Sequence, residues 1–322
     1  MVALFNFHDI RFAYFILLPF FVTFAGTAAQ AQDSALYYAV NTNNLEEVSK
    51  LLDKDANPNM TDKDDDNLLM NAALYSSTVC MKLLLQKGAD PNAKNTSGET
   101  PLMLCVHDTN KIKLLLQYKA DVNAKANSGN TPLLIAAIGS EQFAAIKLLL
   151  DNGADPLAKN EAKETSLIRA ATFGDTMSIR LLIDKGVDVN ARNVSGESAL
   201  LNAIINVNNL GVLSLLNNSA DVNIADSFGF TPLNTSVIFG DIQIVNMVLN
   251  KTRDINKANL KGETALMWAN YNEHNNIKII RALLEKGAKV NMKAKDGSTA
   301  LSWALKKGNT ETVALLKKAG AK

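Results

Sequence analysis

The chain has 322 residues, of which 47% are hydrophobic, and its 33 basic and 32 acidic residues nearly cancel to a net charge of +1. This balance does not favour nucleic acid or an anionic membrane as a partner, because both attract strongly basic proteins. The length alone would suggest two globular domains, but an internal repeat predicts one elongated array instead.

Residues 1–31 differ in composition from the rest of the chain. His8 and Arg11 precede an apolar run from Phe12 to Ala25, and small residues then end in Ala29-Gln30-Ala31. This order is typical of a secretory signal peptide, so we predict export of the chain and cleavage after Ala31. The alternative is an uncleaved membrane anchor, although the apolar stretch barely reaches the roughly 20 residues that a spanning helix needs.

From Ser34 to Lys322, one unit of about 33 residues recurs nine times. Its most regular marker is an asparagine near the end of the unit, which Leu157 replaces in the fourth unit. These asparagines are Asn59, Asn92, Asn123, Asn190, Asn223, Asn256 and Asn291. The predicted units are 32–63, 64–94, 95–125, 126–159, 160–192, 193–225, 226–258, 259–293 and 294–322. Units of this size are expected to stack, because each buries its apolar face only against its neighbours.

Each unit carries the signals of two helices. Thr100-Pro101-Leu102, Thr131-Pro132-Leu133 and Thr231-Pro232-Leu233 predict helix starts, with the Thr hydroxyl as N-cap and Pro at the first helical position. The second helix is rich in leucine, as in Leu148-Leu149-Leu150, and is followed by a glycine that favours a left-handed C-cap. These glycines are Gly88, Gly153, Gly186 and Gly287.

These features resemble the ankyrin repeat, and the resemblance covers essentially all of residues 32–322. It implies an all-α solenoid in which each unit is a helix–turn–helix followed by a hairpin-like finger. The glycine expected at each fingertip is replaced by Asp65 and Lys163 in two units, and it is present at 98, 129, 196, 229, 262 and 297. The family's His after Thr-Pro-Leu is also missing, and its position holds Met70, Met103, Leu134, Ile168, Leu201, Asn234, Met267 and Ser302.

The resemblance also implies a function. Ankyrin arrays bind proteins or peptides through the concave face and the fingers, so we expect a monomeric, non-catalytic scaffold that has no cofactor. Because ankyrin arrays are mostly intracellular, one with an export signal resembles a bacterial envelope protein, and we expect it in the periplasm first and secreted second. Two alternatives stay open, namely a secreted effector directed at a host and a membrane-tethered adaptor of a partner enzyme.

Aromatic residues at the fingertips and just after the small-residue pair of the first helix are candidates for partner binding, because exposed aromatic side chains make good anchors. These candidates are Tyr75, Phe173, Phe228, Phe230, Phe239 and Tyr271, joined by His107 at an irregular turn. For Phe173 and Phe239 the alternative is packing between helices, and for His107 it is a solvated loop. Trp268 and Trp303 occupy equivalent positions in their units, which predicts packing between repeats.

The sequence contains no nucleophile elbow, zinc-protease helix, P-loop or dinucleotide glycine pattern, so we predict neither a catalytic nor a metal site. The run 64–66 of three aspartates lacks the spacing of a calcium loop and is interpreted as a solvated fingertip. A disulfide between Cys80 and Cys105 would need α-carbons within about 7 Å. We expect instead that both thiols are buried as small apolar groups.

Overall fold

The computed structural model describes residues 28–173, 175–239, 241–271 and 276–322. These residues form eighteen α-helices and one 3-10 helix. Within the described ranges the chain forms no β-strand, and its extended pairing is limited to the isolated bridges Thr61–Asn67 and Arg192–Ser198. The all-α prediction is therefore confirmed.

In chain order the helices are α1 (Ala28–Asn41), α2 (Leu45–Leu52), α3 (Leu68–Tyr75), α4 (Thr78–Gln86), α5 (Pro101–Leu104), α6 (Thr109–Gln117), α7 (Pro132–Ala136), α8 (Phe143–Asp151), α9 (Ser166–Phe173), α10 (Thr176–Asp184), α11 (Ala199–Ile205), α12 (Asn209–Asn217), α13 (Pro232–Phe239), α14 (Ile242–Leu249), α15 (Ala265–Trp268), the 3-10 helix η1 (Ala269–Tyr271), α16 (Asn276–Glu285), α17 (Ala300–Lys307) and α18 (Thr310–Lys318). The odd-numbered α-helices are the first helices of their units, and the even-numbered ones are the second helices.

The helices stack in two layers. Each first helix contacts the first helix of the next unit, and each second helix contacts the next second helix, from one end of the array to the other. The apolar residues between the layers form one continuous cluster that runs from Leu36 to Leu316. Small pairs such as Ala136-Ala137 are fully buried, which allows neighbouring first helices to approach closely. The array is therefore held together by contacts between neighbouring units, as expected for a solenoid.

The threonine caps form in two of the three predicted cases. The hydroxyl of Thr131 accepts the amide hydrogen of Leu134 at 3.3 Å, and that of Thr231 accepts the amide hydrogen of Asn234 at 3.2 Å. The prediction is wrong for Thr100, whose buried hydroxyl makes no hydrogen bond to another described residue. There the amide of Met103 donates to the backbone carbonyl of Thr100 at 3.0 Å, so the short helix α5 starts with a tight turn. Pro101, Pro132 and Pro232 begin their helices as predicted.

Two units replace the missing histidine with another polar group. In the seventh unit the backbone amide of Thr231 donates to Oδ1 of Asn234 at 3.1 Å, and in the ninth that of Thr299 donates to Oγ of Ser302 at 2.8 Å. Together with the threonine hydroxyls, these contacts make reciprocal capping pairs. Asn234 is fully buried. Its Oδ1 accepts hydrogen bonds at the start of α13, whereas its buried Nδ2 makes no hydrogen bond to another described residue.

The fingertip glycines have positive φ, for example 76° at Gly129 and 84° at Gly229. Lys163 adopts the same conformation with φ 58°, and Asp65 has φ 59°. A residue with a Cβ is strained in this region by roughly 1–2 kcal/mol. Lys163 therefore adopts at the fifth fingertip the conformation that glycine adopts in the other fingers.

Lys163→Gly is expected to raise the free energy of unfolding by about 1 kcal/mol, because it removes this strain. Urea titration followed by circular dichroism measures the change. The matched control is Gly129→Lys in the neighbouring finger, where φ is 76° and a new Cβ would lie 3.0 Å from the amide nitrogen of Glu161. This control should lower stability. A loss of stability in Lys163→Gly would contradict the account of the finger.

The N-terminal predictions fall largely outside the described residues. Helix α1 begins at Ala28, so the predicted cleavage position after Ala31 lies within its first turn. Residues 1–27 of the predicted signal peptide lie outside the described ranges. Among the described helices, none has the length and apolar character needed to cross a membrane.

Candidate functional site

Most fingers begin with a short polar residue that binds amides of the fingertip, whereas the fourth and ninth begin with Ala126 and Ala294. In the seventh finger, Oδ1 of Asp226 accepts the amide hydrogens of Phe228 at 2.9 Å and Phe230 at 2.8 Å. In the eighth, Oδ1 of Asn259 accepts those of Lys261 at 2.9 Å and Glu263 at 3.0 Å. One short side chain thus holds two tip amides, as in an Asx turn.

Neighbouring fingertips are also joined by backbone hydrogen bonds. In each case a tip amide donates to a carbonyl of the preceding tip. The bonds in the second half of the array are Val194 N to Ala162 O at 2.9 Å, Ser227 N to Ser195 O at 2.9 Å, Leu260 N to Phe228 O at 3.0 Å and Lys295 N to Lys261 O at 2.9 Å. The tips therefore form a fixed row in which side chains one period apart are neighbours.

Three consecutive tips in this row carry exposed apolar side chains. Val194 is 60% exposed, Phe228 is 67% exposed and Leu260 is 62% exposed. We call these three side chains the fingertip ridge. The tips before and after the ridge carry polar residues, namely Thr96, Ser97, Asn127, Ser128, Glu161, Lys295 and Asp296. Exposed apolar side chains that adjoin one another, rather than scattered single ones, indicate a binding surface.

Phe230 lies on the other side of Gly229 and has a different role. Its side chain is half-buried, and its ring centroid lies 5.5 Å from that of Trp268. Trp268 in turn packs edge-on against Trp303 at 5.3 Å. We call these three rings the aromatic row. The predicted packing of the two tryptophans between repeats is confirmed, and Phe230 extends that packing into the seventh finger.

The repeated asparagines tie one unit to the next, a role that the sequence did not reveal. Oδ1 of Asn123 accepts the amide hydrogen of Asp155 at 2.8 Å, and its Nδ2 donates to the carbonyl of Gly153 at 2.9 Å. Asn59 and Asn92 make the same pair of bonds to their following units. Leu157 has no polar atom in its side chain and cannot form this bridge between the fourth and fifth units.

Asn123→Leu is expected to lower the free energy of unfolding by about 1–2 kcal/mol, because it removes two hydrogen bonds between units. The reciprocal change, Leu157→Asn, should raise it by about 1 kcal/mol by completing the series. Both are measured by urea titration. Effects of opposite sign in the two variants would support the bridging role, whereas two destabilised variants would contradict it.

Comparison with known families agrees with this architecture. The family model described as Ankyrin repeats (3 copies) matches overlapping segments of the chain at residues 5–95, 69–160, 144–226, 167–259, 200–294 and 239–322. The chain belongs to the ankyrin-repeat family. The first match begins at residue 5 and overlaps the predicted signal peptide, which stays a prediction.

A curated relative resembles part of the ankyrin array. A mitochondrial disaggregase from Bos taurus is 31% identical over 141 residues, which are 42% of this chain and 21% of that protein. The chain therefore spans about a fifth of the length of that relative. Ankyrin repeats generally mediate protein–protein interaction.

Three of the remaining candidate residues lie away from the fingertip ridge. Tyr75, His107 and Phe239 are exposed, and each lies near the C-terminal end of the first helix of its unit. The fingers directly precede the N-terminal ends of these helices, so the three residues lie at the other end from the fingers. Phe228 and Phe239 therefore lie at opposite ends of α13. For Phe173 and Tyr271 the side chains lie outside the described residues.

The two cysteines are free thiols, and both are buried. Burial is the main cause that raises the pKa of Cys105 to about 12, and burial also raises the pKa of Cys80. Both therefore stay protonated at neutral pH, which makes them poor nucleophiles and poor metal ligands. In the described part of the array, no three His, Cys, Asp or Glu side chains are grouped closely enough to hold a metal ion.

Proposed function

We propose that this ankyrin array is a non-catalytic scaffold that binds a protein or peptide partner through its fingertip ridge. The observation that carries this proposal is the run of three exposed apolar tips on fingers whose backbones are hydrogen-bonded to one another. Because the row is already ordered, a partner can bind without first fixing flexible loops. Phe228 is the most exposed of the three and is the expected anchor.

The test compares the intact chain with Val194→Ser/Phe228→Ser/Leu260→Ser in affinity capture from the fraction that contains the protein. Its matched control is Met177→Ser/Leu210→Ser/Leu213→Ser, three side chains that are 59%, 64% and 45% exposed along a groove of about 390 Å³ between α10 and α12. The ridge variant should lose at least tenfold of the captured partner, since anchor residues contribute about 2 kcal/mol or more. Capture that survives in the ridge variant but fails in the control would place the site on the second helices instead.

The location of the scaffold is the second part of the proposal. We infer that it is exported, to the periplasm first and to the medium second, on the support of the apolar N-terminal run and its Ala29-Gln30-Ala31 ending. Mass spectrometry of the purified protein should give a mature N-terminus at Gln32. An intact Met1 on membrane-bound protein would favour the tethered adaptor.

The partial similarity to a disaggregase supports an alternative in which the array still binds a polypeptide but serves an enzyme. In that alternative the array presents a polypeptide to an enzyme carried by another chain, as an adaptor. The expected observation is an enzyme that copurifies with the intact array and stays bound to the ridge variant, since it would use a different surface. A secreted effector directed at a host would instead bind a host protein through the ridge.

A further inference from the structure

We propose that the fingertip ridge, if it binds as proposed above, takes an extended polypeptide segment with apolar residues about every third position followed by acidic residues. The apolar part would lie over the sixth to eighth fingers, and the acidic part over the eighth and ninth. This inference names the chemistry of the partner and its direction along the array. It rests on the distribution of charge around the ridge.

The stretch from the N-cap of α11 to the C-cap of α14, which includes the seventh finger, is almost without charge. Residues 198–250 contain three charged residues, all aspartates, whereas the chain average of 20% would place about ten in such a stretch. Each aspartate already binds local groups. Oδ1 of Asp221 accepts from Asn223, that of Asp226 accepts the amides of the finger, and that of Asp241 caps α14. A charged partner residue placed here would lose water without gaining a counter-charge, so apolar or uncharged residues fit.

Free positive charge begins where the ridge ends. Lys261 follows Leu260 in the eighth finger, Lys293 directly precedes the ninth finger and Lys295 lies in it. All three side chains are exposed, and none forms a salt bridge with another described residue. The basic side of the ridge therefore favours carboxylates in the partner.

The nearby acidic groups only partly offset these lysines. Oε2 of Glu263 accepts from Nδ2 of Asn259 at 2.7 Å, inside the eighth finger. Asp296 in the ninth finger accepts the amide hydrogen of Ser298 at 2.9 Å, and its hydrogen bonds to Ser298 lower its pKa, which keeps it ionised. At the opposite end of the ridge, Glu161 and Lys163 share one finger and roughly balance each other. Net positive charge thus adjoins the ridge on one side, which sets a direction.

The spacing of the fingers sets the spacing of the partner's residues. Packed helices lie about 8–10 Å apart, so equivalent positions of successive tips repeat at about that distance, although the hydrogen-bonded Phe228 and Leu260 lie closer. An extended chain advances about 3.3 Å per residue, and one tip therefore corresponds to about three residues. Three apolar tips and one basic tip accommodate a segment of roughly ten residues.

The experiment is selection of random 12-residue peptides, displayed on phage, against the immobilised intact chain. We expect enriched peptides to combine apolar residues at a spacing of about three with acidic residues toward one end. Fluorescence anisotropy then compares the affinities of two synthetic peptides made from the best sequence. One keeps its acidic residues, and in the other they are changed to Lys. The acidic peptide should bind three- to tenfold more tightly at low salt, and the difference should vanish near 1 M salt, where charges are screened within about 3 Å.

The decisive variant is Lys261→Glu/Lys295→Glu, which should reverse the preference between the two peptides. Lys113→Glu/Lys185→Glu makes the same charge change on exposed residues of other helices and turns, and it should leave the preference unchanged. If the reversed variant keeps the original preference, or if selection enriches apolar peptides without acidic residues, the inference on partner chemistry is wrong. If the serine variant of the ridge still binds the selected peptides, the proposed binding site itself is wrong.

Discussion

Leu149→Ala is expected to lower the free energy of unfolding by about 2–5 kcal/mol, the range for a fully buried leucine truncated without repacking. Leu149 is fully buried in α8, where it belongs to the continuous apolar cluster between the two layers. The neighbouring units cannot close the space, because each second helix also packs against the next one along the stack. The loss of unfolding free energy should therefore lie in the upper half of this range.

Urea titration followed by circular dichroism tests this prediction. Leu213→Ala is the control, since Leu213 lies in α12 but is 45% exposed, and its loss should change stability by less than about 0.5 kcal/mol. Similar values for the two variants would show that the layers do not bury Leu149 as described. Because units interact only with their neighbours, we expect the damaged unit to unfold before the others and the Leu149→Ala unfolding transition to be broader than that of the unaltered chain.

Trp268→Ala is expected to lower the free energy of unfolding by about 3 kcal/mol. This value is the low end of the range for tryptophan-to-alanine changes, because the side chain of Trp268 is half-buried. Trp268 is the central ring of the aromatic row and contacts both Phe230 and Trp303. Its loss removes packing between the seventh, eighth and ninth units at once. Trp303→Ala should lower the free energy of unfolding less, since Trp303 is a terminal ring of the aromatic row and Trp268 is its central ring.

A double-mutant cycle separates the contact from the rest of the effect. Combining Trp268→Ala with Trp303→Ala should give a coupling free energy of about 0.5–1.5 kcal/mol, the range for tilted aromatic pairs. Strict additivity would mean that the two rings do not stabilise each other. Since the chain has two tryptophans, each single variant also leaves one fluorescent reporter of unfolding in this part of the array.

The aromatic row and the fingertip ridge differ in what they do for the molecule. Phe230, Trp268 and Trp303 are half-buried and pack against one another, so their aromatic surface stabilises the stack. Phe228, Val194 and Leu260 project from the tips, where their exposed surface is available for the proposed binding. Gly229 lies between the exposed Phe228 and the packed Phe230. Its φ of 84° turns the chain so that Phe228 projects while Phe230 packs inward.

The sequence predicted the features that repeat locally within each unit. The 33-residue period, the Thr-Pro starts and the glycines after the second helices were enough to predict an all-α ankyrin solenoid and most of its caps. Such signals are local, because capping and positive φ depend on a few adjacent residues. The exception at Thr100 arose because its helix is one turn long and its first amides bond to the backbone carbonyl.

The contacts between units were decided by the tertiary structure. Val194, Phe228 and Leu260 are about one period apart in the chain, and they become neighbours only because each tip amide bonds to the preceding tip. The sequence singled out Phe228 and Phe230 as aromatic residues but not the two aliphatic tips beside them. Likewise, the repeated asparagines mark the period in the sequence, but their hydrogen bonds to the next unit become visible only in the structure. The 33-residue period determines the secondary structure of each unit. Which side chains of neighbouring units come into contact depends on the offset and rotation between stacked units, and these are determined by the packing of the helices.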